Sequence, residues 1–64
     1  MPAQIRKSKY YIVDLDTRRV HTERPYDHCL EACDAQRERG DIARFTALSG
    51  KRVMEYAHIW TIPD

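Results

Sequence analysis

The sequence predicts an α+β domain: a small antiparallel sheet with one helix packed on one face, in the order ββαββ. Three observations predict it. Tyr10, Tyr11, Ile12 and Val13 form a run of aromatic and β-branched residues. Pro25 and Gly40 bracket a stretch with helical apolar spacing. Beyond Gly40, short β-rich segments flank Ser49-Gly50-Lys51, which reads as a turn.

Residues 1–8 are polar and basic, and are expected to form a flexible arm ahead of a single domain at 9–62. Lys9 to Asp16 reads as the first strand. Alternation sends Tyr11, Val13 and Leu15 to one face and Tyr10, Ile12 and Asp14 to the other. The strand is apolar on both faces, so which one meets the helix stays open. The second face is then expected to lie under another chain or under the side chains of the last strand. Asp16-Thr17-Arg18 has the polar chemistry of a hairpin loop but lacks its usual glycine. Arg19 to Arg24 alternates as a second strand at the sheet edge.

The helix is expected between Pro25, suited to a first helical position, and Gly40, suited to a C-terminal cap. Tyr26, Cys29, Leu30 and Cys33 follow the spacing of one apolar face, which is expected to pack inward. Ile42 to Leu48 and Val53 to Ile62 read as a closing hairpin across Ser49-Gly50. Val53, Tyr56, Ala57 and Trp60 also fit helical spacing, and the hairpin is preferred for its turn and its β-branched content.

The run from Lys9 to Gly40, KYYIVDLDTRRVHTERPYDHCLEACDAQRERG, resembles very small reading frames of bacteriophages and prophages. In those, a Tyr-rich strand, an Asp-Thr turn, a second strand and a short helix follow in this order. The resemblance covers about the first forty residues, and Arg18-Arg19 stands where such turns often carry glycine. It implies a phage-encoded origin and assigns no site residue.

A chain of 64 residues buries only about 60% of the surface its unfolded form exposes. A core of that size rarely supplies more than roughly 3–5 kcal/mol, so a staple is expected. The two cysteines, Cys29 and Cys33, would close a very small loop and make no disulfide framework. That usage points to a reducing, cytoplasmic compartment and leaves a partner chain, such as a second copy in a homodimer, as the staple. Residues 1–9 carry no signal-peptide pattern, and no run approaches the roughly 20 apolar residues of a membrane span. A net charge of +1 favours neither a strongly basic nor a strongly acidic protein.

Four constellations invite a chemical reading. Cys29 and Cys33 with His21, His28 and His58 suggest a metal site, but the cysteines share the apolar helix stripe with Leu30, so core packing and no metal are expected. His28 beside Cys29 suggests a base and a nucleophile. Adjacent helical residues do not face each other, and no further group completes a catalytic set, so no enzyme and no cofactor are expected. Asp14, Asp16 and Glu23 are too few for a metal-dependent nuclease and read as turn chemistry on a solvated edge. Tyr10, Tyr11, Phe45, Tyr56 and Trp60, ringed by Lys7, Lys9, Arg44, Lys51 and Arg52, could stack single-stranded nucleic acid.

The most informative feature is a run of acids. Asp27, Glu31, Asp34 and Glu38 fall within a stripe about 60° wide at helical spacing. The arm and hairpin carry Arg6, Lys7, Lys9, Arg18, Arg19 and Arg24, so charge is polarised across the chain. The expectation is a non-enzymatic protein-binding module that docks its acidic ridge, with help from an edge strand, on a basic host-protein surface. A defence nuclease or the transcription machinery would be such a target. Two alternatives stand beside it. One is a nucleic-acid-binding protein using Lys7, Lys9, Tyr10, Arg44, Lys51, Arg52 and Trp60. The other is a structural protein that assembles with itself.

Overall fold

A computed structural model describes residues 3–22, 24–40 and 43–62. The expectations for Met1, Pro2, Glu23, Asp41 and Ile42 lie outside the described residues. The class is α+β, with the elements β1 (Ala3–Gln4), β2 (Tyr10–Asp14), β3 (Arg19–Val20), α1 (Cys29–Glu38), β4 (Phe45–Ser49), α2 (Gly50–Tyr56) and β5 (Thr61–Ile62). The order is therefore more elaborate than ββαββ.

Strand β2 is the centre of a three-stranded antiparallel sheet, β3-β2-β4. It pairs along its whole length with β4, Tyr11 opposite Leu48 and Val13 opposite Thr46. On its other side only Val13 and Asp14 pair with β3, and a bridge from Tyr10 to Tyr26 continues the contact. The second strand is thus shorter than the alternation from Arg19 to Arg24 implies. Beyond Val20 the His21 N–H still donates to the Ile12 carbonyl at 2.7 Å, and the buried Thr22 hydroxyl donates to the Arg24 carbonyl.

Both faces of β2 are covered by the chain itself. Tyr11 and Val13 join Ile5, Val20, Val53, Ala57 and Ile62 in the main core, so this face lies under α2 and the β1–β5 ribbon. Ile12 points the other way, to the face where α1 packs on β4 and β2. An alternating strand that is apolar throughout needs a layer on each side. Here those layers are two helices.

Tyr11 is 0% exposed, and its phenol oxygen accepts the Arg6 backbone N–H at 2.9 Å. Tyr11→Phe keeps the ring but leaves that donor without a partner. We expect it to cost about 1–2 kcal/mol, read as a lower urea midpoint with an unchanged slope.

The hairpin after β2 dispenses with glycine by placing Arg18 in the left-handed region, φ 56°. The strain is offset by the Arg18 side chain. Its Nε and Nη2 donate to the Tyr56 carbonyl at 3.0 and 2.7 Å, and its guanidinium lies 4.5 Å from the centre of the Tyr56 ring. The hairpin tip therefore satisfies the carbonyl end of α2, where a cation is favoured.

Three expectations are corrected. Residues 1–8 do not form a free arm from end to end: Ala3–Gln4 pairs with Thr61–Ile62, and Ile5 is in the core. Ser49-Gly50 is not a hairpin turn, and residues 53–62 are not one strand. Ser49 is the N-cap of α2, its hydroxyl accepting the Arg52 N–H, and only Thr61–Ile62 is a strand. The helical spacing of Val53 and Ala57 is the one the core uses. Finally, α1 begins at Cys29, not Pro25, because the Tyr26 backbone is engaged in the bridge to Tyr10. The C-terminal end follows the sequence: Gly40 adopts φ 81° and its N–H reaches the Arg37 carbonyl at 3.1 Å.

Candidate functional site: the outer face of helix α1

Helix α1 turns its small residues inward. Ala32 is fully buried, and Ala35, Gln36 and Arg39 are half-buried beside it. These four share one face at 100° per residue. Alanines let the helix approach β4 closely. Gln36 Nε2 then donates to the Phe45 carbonyl at 2.8 Å, and the Arg39 guanidinium lies 6.0 Å from the centre of the Phe45 ring.

That choice of face corrects the expected apolar stripe. Tyr26 lies outside the helix, Cys29 is exposed and Cys33 half-buried. Leu30 is 77% exposed and sits almost opposite Ala32 around the axis. The cysteines therefore do not pack in the core. The signal for the inward face was present in Ala32, Ala35 and Gln36, a pattern weaker in hydrophobicity but smaller in volume.

Beside Leu30 run the acids. Glu31, Asp34 and Glu38 are all exposed on α1. Asp27 precedes the helix, and its carboxylate is taken by Lys9 Nζ; the hydrogen bond and charge of Lys9 hold its pKa below the ordinary value. The ridge of four is thus a helical ridge of three with a paired outlier. Arg37 borders it, with Nη1 3.8 Å from Asp34. The surface combines one large apolar side chain with three acids.

The basic and aromatic residues named as a second interface are divided. Lys9 is occupied by Asp27, and Tyr10 is half-buried in the sheet. Arg44 lies at the far end of β4, where Nη2 pairs with Asp14 at 2.8 Å and Nε approaches Asp16 at 3.9 Å. Lys51 and Arg52 project from the first turn of α2, and the backbone of Lys7 passes directly beside Gly50. Trp60 is 58% exposed and donates Nε1–H to the Ala57 carbonyl at 3.1 Å. Lys7, Lys51 and Arg52 are brought together; Arg44 is not.

Asp14 is not on a solvated edge. It is 3% exposed, and its Oδ1 accepts the N–H groups of Asp16 and Thr17 at 2.9 and 3.2 Å. It closes the hairpin and binds Arg44, a structural role that alternation alone does not reveal. Asp16 is exposed.

An open groove of about 210 Å³ is lined by Leu48, Arg52, Glu55 and Tyr56. It is smaller than the roughly 300–1,000 Å³ of small-molecule sites. No helix among the described residues is long and apolar enough to cross a membrane. No protein family, no curated protein and no solved structure matches this chain.

Proposed function

We propose that the protein is a non-enzymatic binding module that docks the outer face of α1 on a basic protein surface containing an apolar pocket. The observation that carries this reading is Leu30: a large apolar side chain, 77% exposed, beside Glu31 and Asp34. An apolar anchor ringed by charge is the usual anatomy of a contact whose centre supplies affinity and whose rim supplies orientation. The acids steer the module to a basic surface, such as one that otherwise holds nucleic acid. The resemblance of residues 9–40 to phage reading frames supports a host protein, a defence nuclease or part of the transcription machinery, as the one blocked.

The test is capture from a nuclease-treated bacterial lysate by the wild type, by Leu30→Ala, and by a Glu31→Lys/Asp34→Lys double variant. We expect one stoichiometric partner for the wild type. Leu30→Ala should weaken affinity about tenfold or more, the loss of a central contact worth at least about 1.4 kcal/mol. The double reversal should weaken binding and flatten its salt dependence. All three residues are exposed, so stability should change by no more than about 0.5 kcal/mol. Equal affinity for all three proteins would sink the proposal. A partner retained only when nuclease is omitted would move the assignment to nucleic acid and to Lys7, Lys51 and Arg52.

A further inference from the structure

The cysteines are the one reactive pair that the binding face leaves unused. Cys29 and Cys33 stand one turn apart on α1, with Sγ atoms 3.9 Å apart. A disulfide would need about 2.05 Å, so this is a pair of free thiols. Cys29 is exposed and Cys33 half-buried, and the pair lies on a flank of α1, well round the axis from Glu31, Asp34 and Glu38.

The spacing has a chemical meaning. At a zinc–sulfur distance of about 2.3 Å, sulfurs this far apart subtend about 116° at the metal, close to the tetrahedral angle of about 109°. Two thiols are half of a closed Cys₄ shell. Among the described residues, no third His, Cys, Asp or Glu converges with them, so one chain does not complete the shell. A second copy related by a two-fold axis through the metal would supply the other two sulfurs.

We propose that Cys29 and Cys33 form a half-site for a zinc ion that joins two copies of this chain through a shared Cys₄ centre. Four thiols lose four protons to solvent as one Zn²⁺ binds, and no electron moves. The resulting centre carries two negative charges. Arg37, one turn beyond Cys33, and the positive N-terminal end of α1 at Cys29 both favour it. Burial, and after it the neighbouring Cys29, raise the pKa of the Cys33 thiol. The zinc seam lies about 100° or more round the axis from the acids, but Cys33 stands one turn from Leu30, so the seam borders the apolar edge of the proposed docking face.

The experiment is addition of zinc chloride, one ion per two chains, to the reduced full-length protein at micromolar concentration. The readouts are native mass spectrometry, light-scattering mass and labelling of the thiols by a maleimide. We expect a monomer to become a dimer that retains one zinc, with labelling of both cysteines slowed at least tenfold. A Cys29→Ser/Cys33→Ser variant should stay monomeric and metal-free. Any of four results would overturn the proposal: no retained zinc, zinc held by a monomer, a dimer that forms equally without zinc, or zinc and dimer surviving in the double variant. If that variant fails to fold by circular dichroism, stoichiometry and maleimide protection in the wild type decide.

Discussion

Gly50→Ala should leave the protein largely unfolded at room temperature, although alanine is the better helix former by about 1 kcal/mol. Gly50 is the first residue of α2 and is buried. A Cβ there would lie 1.8 Å from the Arg6 carbonyl oxygen, 2.6 Å from its carbon and 3.0 Å from the Lys7 Cα. All three are backbone atoms, which cannot swing aside as a side chain can. Displacing them would draw Ile5 from the core and break the Arg6 N–H bond to Tyr11. Overpacking alone costs about 1–3 kcal/mol and more when backbone must move. A domain of this size rarely holds more than roughly 3–5 kcal/mol in total and has little left after that. Far-UV circular dichroism with a urea titration reads the result. A variant as stable as the wild type would show that the close approach of residue 6 to α2 is not required.

The second large effect is at Asp14. Replacing it with alanine frees the Asp16 and Thr17 N–H groups and strips Arg44 of its buried partner. We expect Tm to fall by about 10 °C or more, since a domain of this size loses several degrees per kcal/mol. The acid branch of the stability curve carries a finer test. The hydrogen bond from Arg44 is the main cause that lowers the Asp14 pKa, helped by the Thr17 and Asp16 N–H groups and outweighing the opposing effect of burial. A carboxyl with a folded pKa below its unfolded one stabilises fully above the unfolded value of about 4. It loses that contribution as pH falls through the folded value. Tm should therefore be level above about pH 5 and drop below about pH 4. Asp14→Asn, which cannot titrate, should start lower and fall less steeply. Parallel acid branches would refute the linkage, with thermal melts from pH 2 to 7 as the measurement.

The contrast between Asp14 and Asp16 shows where a sequence is legible and where it is not. Alternation correctly sends Asp14 to the face opposite Tyr11, but it cannot say that this face is covered by α1 and that Arg44 arrives from β4 to neutralise it. Class, first strand, hairpin position and the glycine stop of α1 were readable because each is a local preference. Hydrophobic spacing points to the wrong face of α1 because it ranks residues by apolarity and not by volume. Leu30 is the greasier residue, but Ala32 and Ala35 let the helix sit close to the sheet. Ser49-Gly50 suggests a turn because glycine's two uses look identical in a string of letters. Here it is needed for close approach, not for a positive φ. For the candidate site, the acids of α1 were visible beforehand, whereas Leu30 among them and the outward cysteine pair required the fold.

The β1–β5 ribbon joins segments almost the whole chain apart, Ala3 opposite Ile62. Such a loop carries the largest closure entropy in the molecule, and a short ribbon rewards it: two paired residues in each strand and the Ile5 N–H bond to the Trp60 carbonyl. It should therefore zip last during folding and open first in the native state, well before the β2–β4 ladder yields. Each opening would lift Ile5 and Ile62 away from Val53 and Ala57 while the central sheet stays paired. Such an opening would loosen one end of the molecule and leave the packing of α1 on the sheet's other face in place.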